Sequence, residues 1–491
     1  MKDTTSHSKV SDEISSKSND VQDDNHMENA HEFIAQLDAL FHSNSVAIVG
    51  VPRGMKTGKL FLTSLLDLGF PGDIYPVNPK AQEIDGLKAY PSVSAIPGSV
   101  DLAIVLVPHH SALSVVKECA AKGVKGAVLF TAGYKETGTD EGKELERELV
   151  RVARSSGMRI LGPNCMGFYV PKTGLSFLPE LSKEPGTVGI ISHSGSIANI
   201  LCRMAPQKGI RFSKAVSLGN ECDLSFAHFL TYLGNDSETH VIGGYLENIK
   251  DGTFFLKALR NASLEKPVIL WKQGLNPEGC QAASSHTGAL TGSKEIWEAV
   301  VRQGGAVPVV GFEAWVDALM GFSLLPHDLG DRVTIISGPG GLAVSAAEAC
   351  GNMGLRLAKL SAETRSRLAE FVSQTGTSLN NPVDVGMTAA LNIEIYIQAA
   401  QTVAMDPGVD GVVVMGSGLD PEANRIYTNS LVKIHQDSRK PFIIVSIPGF
   451  DPELAQDFCQ AGVPCFDSAE RALDTYSLVR RYQLWRKKKV H

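Results

Sequence analysis

Short apolar runs rich in β-branched residues alternate with amphipathic stretches along almost the whole chain from Ser45 onward. Runs of this kind are typical of buried parallel strands, and a helical period between them indicates crossover helices. The runs that we expect to form strands are residues 45–50, 73–78, 102–108, 126–133, 158–164, 187–192, 212–220, 240–249, 266–274, 332–341, 409–418 and 440–449. The pattern predicts an α/β protein built from doubly wound parallel sheets.

Two Pro- and Gly-bearing stretches, residues 171–186 and 326–330, interrupt this alternation and indicate domain boundaries. Residues 1–30 contain seven acids, no Arg and hardly any large apolar side chain, so burial could not offset the entropy cost of ordering them. We predict an acidic disordered tail over residues 1–30, followed by three domains over residues 31–170, 171–328 and 329–491.

Composition excludes several classes of protein. The formal net charge is −7, so no overall positive field would attract nucleic acid or anionic lipid. The eight cysteines form no Cys-x-x-Cys pair and match no zinc spacing, which predicts reduced thiols and no metal site. No apolar run is long enough to span a bilayer or to serve as a signal peptide, so we expect a cytoplasmic protein with no membrane partner.

Ligands of open parallel sheets bind where strands end and helices begin, so these loops are the first candidates for a site. The loop at residues 50–59, GVPRGMKTGK, combines small residues with Arg53 and Lys56 and could accept phosphates. It matches neither the dinucleotide fingerprint nor the phosphate-binding loop of nucleotide hydrolases, and a tight turn with solvated lysines explains it equally well.

Two further loops contain a histidine among small residues. SHSGSI at residues 192–197 precedes a helix expected from Ser196, and it could cradle an anion or simply cap that helix. CQAASSHTGALTGSKE at residues 280–295 is expected to be a loop, with a helix beginning only near Ser293. His286 is therefore either a functional imidazole on a pliable loop or a surface histidine.

Several polar residues follow expected strands: Asn220, Glu221 and Asp223 in one segment, and Glu247 in another. A carboxylate in such a place could orient an imidazole and raise its basicity. Spacing alone does not choose among them.

Six motifs, in this order, resemble the α subunit of ADP-forming acetyl-CoA synthetase, a relative of the α subunit of succinyl-CoA synthetase. They are IYPVNPK (74–80), LKAYPSVSAIP (87–97), LGPNCMG (161–167), SLGN (217–220), SSHTG (284–288) and NPVD (381–384). The resemblance implies an N-terminal Rossmann-like CoA-binding domain followed by two flavodoxin-like, succinyl-CoA synthetase-like domains.

The resemblance also implies roles for individual residues. His286 would be phosphorylated, Glu247 would be its partner acid, and the helix N-terminus at Ser194, Gly195 and Ser196 would receive the phosphoryl group. The residues implied for CoA binding are Gly50, Arg53, Lys56, Gly58, Asn78, Pro79, Lys80, Asn164 and Cys165.

The implied reaction is acid + CoA + ATP giving acyl-CoA + ADP + phosphate, through an acyl phosphate and a phosphohistidine. Because no segment resembles an ATP-grasp module, a separate β subunit would bind most of the ATP and its Mg²⁺, in an α2β2 heterotetramer. The third domain is expected to contribute to the contact between the subunits.

The sequence leaves alternatives open. The chain departs from the family at His193, where Gln is usual, and in the acidic run after SLGN, which is reduced to Glu221 and Asp223. A CoA- or acyl-CoA-binding regulatory protein without turnover is the main rival, and a nicotinamide-dependent dehydrogenase is a weaker one because the fingerprint is missing. The carboxylic acid and the choice of ATP or GTP are left undetermined.

Overall fold

The computed structural model describes residues 32–54, 56–287, 292–373, 375–447, 451 and 453–490, without the side chains of residues 284–287 and 490. The predicted acidic tail, residues 1–30, lies outside this described part. Three mainly parallel α/β sheets follow one another along the chain, as the alternation of apolar runs predicts. Within the described ranges, no helix is both long and apolar enough to cross a membrane.

The first sheet contains five parallel strands. Its strands and the hairpin beside it are β1 (Ser45–Val49), β2 (Asp73–Val77), β3 (Glu83–Ile84), β4 (Leu87–Lys88), β5 (Leu102–Val105), β6 (Gly126–Leu129) and β7 (Arg159–Leu161). Its helices are α1 (residues 32–41), α2 (Lys59–Leu68), α3 (His109–Lys122) and α4 (Asp140–Ser155). The strand order β2-β1-β5-β6-β7 is doubly wound, and the antiparallel hairpin β3-β4 stands outside it.

The second sheet contains six strands, of which one is antiparallel. They are β8 (Gly167–Tyr169), β9 (Val188–Ser192), β10 (Phe212–Ser217), β11 (Val241–Leu246), β12 (Val268–Lys272) and β13 (Val307–Val309). The helices are α5 (Gly195–Met204), α6 (Phe226–Asn235), α7 (Gly252–Glu265), α8 (Pro277–Thr287), α9 (Lys294–Gly304) and α10 (Phe312–Leu324). The order is β13-β12-β11-β9-β10-β8, so β8, which directly follows the last strand of the first sheet in the chain, forms an edge of the second.

The third sheet is parallel throughout. Its strands are β14 (Arg332–Ser337), β15 (Arg356–Leu357), β16 (Val383–Asp384), β17 (Gly411–Met415), β18 (Phe442–Val445) and β19 (Cys465–Phe466). Its helices are α11 (Gly340–Asn352), α12 (Ala362–Leu368), α13 (Glu394–Ala404), α14 (Pro421–Ser438), α15 (Leu454–Gln460) and α16 (Ala469–Val490). Short 3₁₀ helices occupy Lys135–Thr137, Pro171–Thr173, Ala205–Lys208 and Met387–Leu391.

The side chains of β1 separate two apolar cores. Successive residues of a strand point to opposite faces, so Val46 and Ile48 join a large core that continues into the second and third sheets. Ala47 and Val49 point the other way, into a smaller core under α3 and α4. One face of the first sheet therefore packs toward the rest of the protein.

The C-terminal helix α16 joins the third sheet to the second. It packs against both α10 and α11. The guanidinium of Arg471 donates two hydrogen bonds, of 2.6 and 2.9 Å, to the buried carboxylate of Asp317 on α10. Near the other end of α16, the Tyr482 hydroxyl donates to the Ser263 carbonyl at 2.8 Å. These contacts hold the sheets in a fixed arrangement.

Asp223 ties the first sheet to the second. Its side chain is fully buried and accepts hydrogen bonds from Arg159 Nε at 2.9 Å, Arg154 Nε at 3.0 Å and the Ile160 amide at 3.0 Å. Burial raises the pKa of this carboxyl, but the hydrogen bonds and charge of Arg159 outweigh burial, and the net shift is downward. Asp223 therefore remains ionised in the folded protein at neutral pH.

We predict that Asp223→Asn lowers the free energy of unfolding by about 3 kcal/mol at pH 7, because the largely buried Arg159 loses its counter-charge. Since the folded-state pKa lies below the unfolded value, this stabilisation is present above the unfolded pKa and is lost as the pH falls below about 4. Urea unfolding of both proteins from pH 7 to pH 3 measures the difference.

Glu144→Gln is the matched control, because Glu144 forms an exposed pair with Arg147 on α4, at 2.7 Å. Such pairs contribute little to stability, so this variant should unfold like the wild type. Equal stability of Asp223→Asn and the wild type at pH 7 would contradict the role assigned to Asp223.

Candidate functional site

The loop after β1 depends on a glycine at its first position. Gly50 has φ +88°, and a Cβ there would lie 2.9 Å from Val107 Cγ1 at the end of the neighbouring strand. Arg53 and Lys56 are exposed on this loop, whereas Lys59 is buried and donates to Asp85 Oδ1 at 2.7 Å. Arg53 and Lys56 are therefore free to meet a ligand from solvent, whereas the buried Lys59 forms an ion pair with Asp85. Gly58 precedes α2, whose start has no side-chain cap.

Asn78 connects this loop to the one after β2. Its Nδ2 donates to the Val51 carbonyl at 2.9 Å, and its Oδ1 accepts the Lys80 amide at 2.8 Å. Pro79 and Lys80 follow on the surface. Both polar atoms of the Asn78 side chain thus form hydrogen bonds within the two loops, whereas Pro79 and Lys80 are exposed to solvent.

The segment after β7 contains Asn164 and Cys165. Asn164 is exposed and adopts φ +59°, and its amide donates to the Thr131 carbonyl at 3.2 Å. Cys165 is buried, with Sγ 3.6 Å from the Leu129 carbonyl, and burial raises the pKa of its thiol. Of the two residues, only Asn164 presents a side chain to solvent, and Cys165 contributes to packing.

The SLGN segment packs directly on the segment after β7. Gly219 adopts φ +58°, and a Cβ there would overlap the carbonyl oxygens of Pro163 and Asn164. The Asn220 amide donates to the Pro163 carbonyl at 2.9 Å, and Ser217 Oγ accepts the Met166 amide at 3.1 Å. The carboxyl ends of β7 and β10, from different sheets, therefore meet at one place.

Asn220 and Lys250 extend this junction. The Asn220 side chain donates to Glu136 and to Glu146 Oε2, the latter at 3.1 Å. Lys250 Nζ donates to the carbonyls of Asn220, at 2.7 Å, and Glu221. Burial lowers the pKa of Lys250 and raises that of Glu146. The junction is thus a polar, partly buried region.

The helix α5 begins beside this junction. Ser194 caps it by accepting the Ile197 amide at 3.4 Å, and its Oγ lies 3.0 Å from Ser196 Oγ. A Cβ on Gly195 would lie 2.6 Å from Met166 Cγ, so a glycine permits the helix to start against the first domain. Ser194 therefore acts as the N-cap, and the helix begins at Gly195, one residue before the expected start; its N-terminus carries a partial positive charge.

Glu247 follows β11 in a buried position, with 6% of the residue exposed. Its Oε1 accepts the Tyr245 hydroxyl at 3.2 Å, and its carbonyl accepts Lys272 Nζ at 2.9 Å. Burial and the neighbouring carboxylate raise the pKa of Tyr245, and burial lowers the pKa of Lys272. Glu247 is therefore held in a site of low polarity.

His193 lies between two of the candidate acids. Its side chain is 4% exposed, its Nδ1 accepts the Glu247 amide at 3.1 Å, and its Nε2 lies 3.3 Å from Glu221 Oε1. The sequence places His193 in a loop of small residues, and Glu221 and Glu247 after strands. It does not predict that His193 contacts both Glu221 and Glu247.

His286 stands on α8, so residues 280–287 are helical and the expected loop is wrong there, whereas a helix does begin near Ser293, as expected. Pro277 fits the first turn of a helix, Glu278 complements its positive end, and Ala282 and Ala283 favour helix, so small residues do not make this segment a loop. The α8 helix contacts the 3₁₀ helix Lys135–Thr137 after β6. The side chain of His286 lies outside the described part of the structure.

In the ranges that the structure describes, no group of three or more His, Cys, Asp or Glu side chains could hold a metal ion.

Two family models match the first two sheets. Residues 44–171 match a CoA binding domain, and residues 185–322 match a succinyl-CoA ligase like flavodoxin domain. These matches confirm the fold class expected from the motifs.

Individual relatives extend over nearly the whole chain. Acetate–CoA ligase (ADP-forming) II subunit alpha of Pyrococcus furiosus is 35% identical over 452 residues, 91% of this chain and 98% of that protein. The longer 4-hydroxybutyrate–CoA ligase (ADP-forming) of Nitrosopumilus maritimus is 33% identical over 450 residues, and this chain spans 63% of it.

A solved structure is similar over the same extent. The dinucleotide forming acetyl-coenzyme A synthetase 1 of Ca. Korarchaeum cryptofilum, in complex with phosphate and ADP, superposes with a TM-score of 0.82 at 31% identity, covering 93% of this chain and 99% of that one. Sequence and fold agree, and the chain belongs to the family of ADP-forming acetate–CoA ligase α subunits.

Proposed function

We propose that this chain is the CoA-binding, phosphohistidine-bearing subunit of an acid–thiol ligase, with His286 as the phosphorylated residue. The reaction is acid + CoA + ATP giving acyl-CoA + ADP + phosphate, and it is reversible. The observation that supports it most is the meeting of two sheet edges: the start of α5, Glu247 and the helix α8 all adjoin the junction with the first domain.

CoA binds at the carboxyl edge of the first sheet in this proposal. Arg53 and Lys56 neutralise its phosphates, and Gly50 and Gly58 let the backbone approach them. Pro79 and Lys80 flank the ligand, and Asn78 holds the two loops in place. The thiol end of CoA lies near Asn164, and the buried side chain of Cys165 packs inside the segment that contains Asn164.

The reaction proceeds in three displacement steps. A nitrogen of His286 attacks the γ-phosphorus of ATP, the bond to ADP breaks, and ADP leaves. The acid's carboxylate then takes the phosphoryl group, which frees the imidazole and gives an acyl phosphate. Finally, the sulfur of CoA attacks the acyl carbon, the bond from that carbon to the phosphate oxygen breaks, phosphate leaves and the thiol proton passes to solvent. Glu247 orients the imidazole, and the N-terminus of α5, at Ser194, Gly195 and Ser196, stabilises the phosphoryl charge.

The nucleotide is bound mainly by a partner in this proposal. A separate ATP-grasp β subunit holds ATP with its Mg²⁺, and two copies of each chain form an α2β2 assembly in the cytoplasm. The subunit naming of the Pyrococcus relative supports a partner chain, and the greater length of the Nitrosopumilus relative fits a fused one. The third sheet contributes to the contact, through exposed apolar residues such as Met387 and Leu391.

We predict that His286→Ala abolishes covalent labelling when the chain is incubated with [³²P]phosphate and each of acetyl-CoA, propionyl-CoA and 4-hydroxybutyryl-CoA. The wild type should acquire an acid-labile, base-stable label with at least one of them, because the reverse reaction phosphorylates the imidazole without a nucleotide.

His240→Ala is the matched control, since His240 is exposed and directly precedes β11, at the amino end of the second sheet. It should label like the wild type. CoA affinity, measured by calorimetry, should be unchanged in His286→Ala. Equal labelling of His286→Ala, or CoA binding with no label from any acyl-CoA, would contradict the proposal, and the second result would favour the regulatory rival.

We predict that Arg53→Ala and Lys56→Ala each weaken CoA binding about fivefold to tenfold, because each removes one charge-assisted contact with a phosphate. The loss should shrink at high salt, since both side chains are exposed.

Lys117→Ala removes an exposed cation from α3 of the same domain and should leave the affinity unchanged. Isothermal titration at two ionic strengths measures all three variants. If the control and the two loop variants lose affinity equally, the loop after β1 is not the phosphate site.

A further inference from the structure

We propose that His193 is a positioning residue for phosphoryl transfer: its imidazole fixes the backbone of Glu247, and Glu221 fixes the imidazole. The inference rests on the proposed function, because it assigns Glu247 to the phosphohistidine site. Neither the resemblance nor the proposed chemistry gives His193 a role.

The first contact is between the ring and the residue to be positioned. Nδ1 of His193 accepts the amide hydrogen of Glu247 at 3.1 Å. An imidazole nitrogen that accepts carries no proton, so the neutral ring has its hydrogen on Nε2. The tautomer of His193 is thereby set by the backbone of Glu247.

The second contact involves the other nitrogen of the ring. Nε2 lies 3.3 Å from Glu221 Oε1, and the two side chains are 4% and 3% exposed. The Nε2 atom makes no hydrogen bond of good geometry within the described residues, so its interaction with Glu221 is electrostatic rather than a linear bond. Because both groups are buried, the attraction is screened little by solvent.

Glu221 is itself held in place. Its Oε1 accepts the Phe226 amide at 2.5 Å at the start of α6, and Lys250 donates to its carbonyl. The edge of the Phe226 ring packs on the imidazole, with centroids 5.9 Å apart. Burial raises the pKa of Glu221, but the contact with His193, the charge of Lys250 and the hydrogen bond from the Phe226 amide outweigh burial and the net shift is downward, so the carboxylate stays ionised.

The main chain of His193 completes the arrangement. Its amide donates to the Tyr245 carbonyl at 3.1 Å, so residue 193 is bonded to both neighbours of Leu246 at the end of β11. The next residue, Ser194, caps α5. His193 therefore couples the acid that orients the phosphohistidine to the helix that receives the phosphoryl group. Because the ring is buried and its two nitrogens face Glu247 and Glu221, it acts through Glu247 and not on substrate.

The test compares His193→Asn with His193→Leu. The Oδ1 of Asn can occupy the place of Nδ1 and accept the Glu247 amide, whereas Leu fills the volume but leaves that buried donor without its acceptor. If packing alone mattered, the order would be reversed, since Asn is the smaller residue and leaves the larger cavity. The two substitutions thus separate a positioning role from a structural one.

We predict that His193→Leu slows formation of the ³²P-labelled phosphohistidine about tenfold or more, while His193→Asn stays within about threefold of the wild type. CoA affinity should be unchanged in both. His435→Leu is the control, because His435 makes a ring-to-carbonyl hydrogen bond, to Lys440 at 2.8 Å, in the third sheet. It should label at the wild-type rate.

A second readout needs no turnover. In hydrogen-exchange measurements, the backbone amide of Glu247, just after β11, should exchange faster in His193→Leu than in His193→Asn or the wild type. The inference would be overturned if the Glu247 amide of His193→Leu exchanged at the wild-type rate. It would also be overturned if His193→Leu were both more stable to heat and faster to label than His193→Asn. If instead His286→Ala still labels, the proposed function fails while the exchange result still decides whether His193 holds Glu247.

Discussion

The functional geometry depends on one close contact between backbones. The segment after β7 and the SLGN segment after β10 lie against each other so tightly that a side chain at residue 219 would overlap the carbonyl oxygens opposite it. Hydrogen bonds from Asn220 and Met166 cross this contact. Because the carboxyl ends of parallel strands are where helix N-termini and free polar groups gather, joining two such edges creates a single polar region from two domains.

Buried charge around this region is balanced group by group. Asp223 accepts hydrogen bonds from two arginines, Glu221 faces an imidazole, and Glu247 accepts the hydroxyl of a buried tyrosine. A buried carboxylate without such partners would be costly. Of these three carboxylates, Asp223 fastens the second sheet to the first, and Glu221 and Glu247 both contact His193, the residue before the cap of α5.

The sequence predicted most strands of the three sheets, because apolar runs that alternate with amphipathic stretches are typical of buried parallel strands. It did not predict the strands β3, β4, β8, β13, β15, β16 and β19, each only two or three residues long, or that β8 runs antiparallel to β10. The helix α8 was expected to be a loop, since Ser, Ala and Gly around His286 suggested mobility more strongly than Pro277 suggested a helix start. Nor could spacing pair His193 with Glu221, because that contact depends on how β9 and β10 bring their ends together.

The phosphohistidine is tested most directly by locating the phosphoryl group. The wild-type chain, phosphorylated with an acyl-CoA and phosphate, would be digested and fragmented by tandem mass spectrometry at neutral to alkaline pH, where phosphohistidine survives. The expected result is a phosphoryl group on the imidazole of His286 that is lost again when the free carboxylic acid and CoA are added. Phosphate on another residue, His193 included, or thioester formation at the full rate with no covalent phosphate, would contradict it.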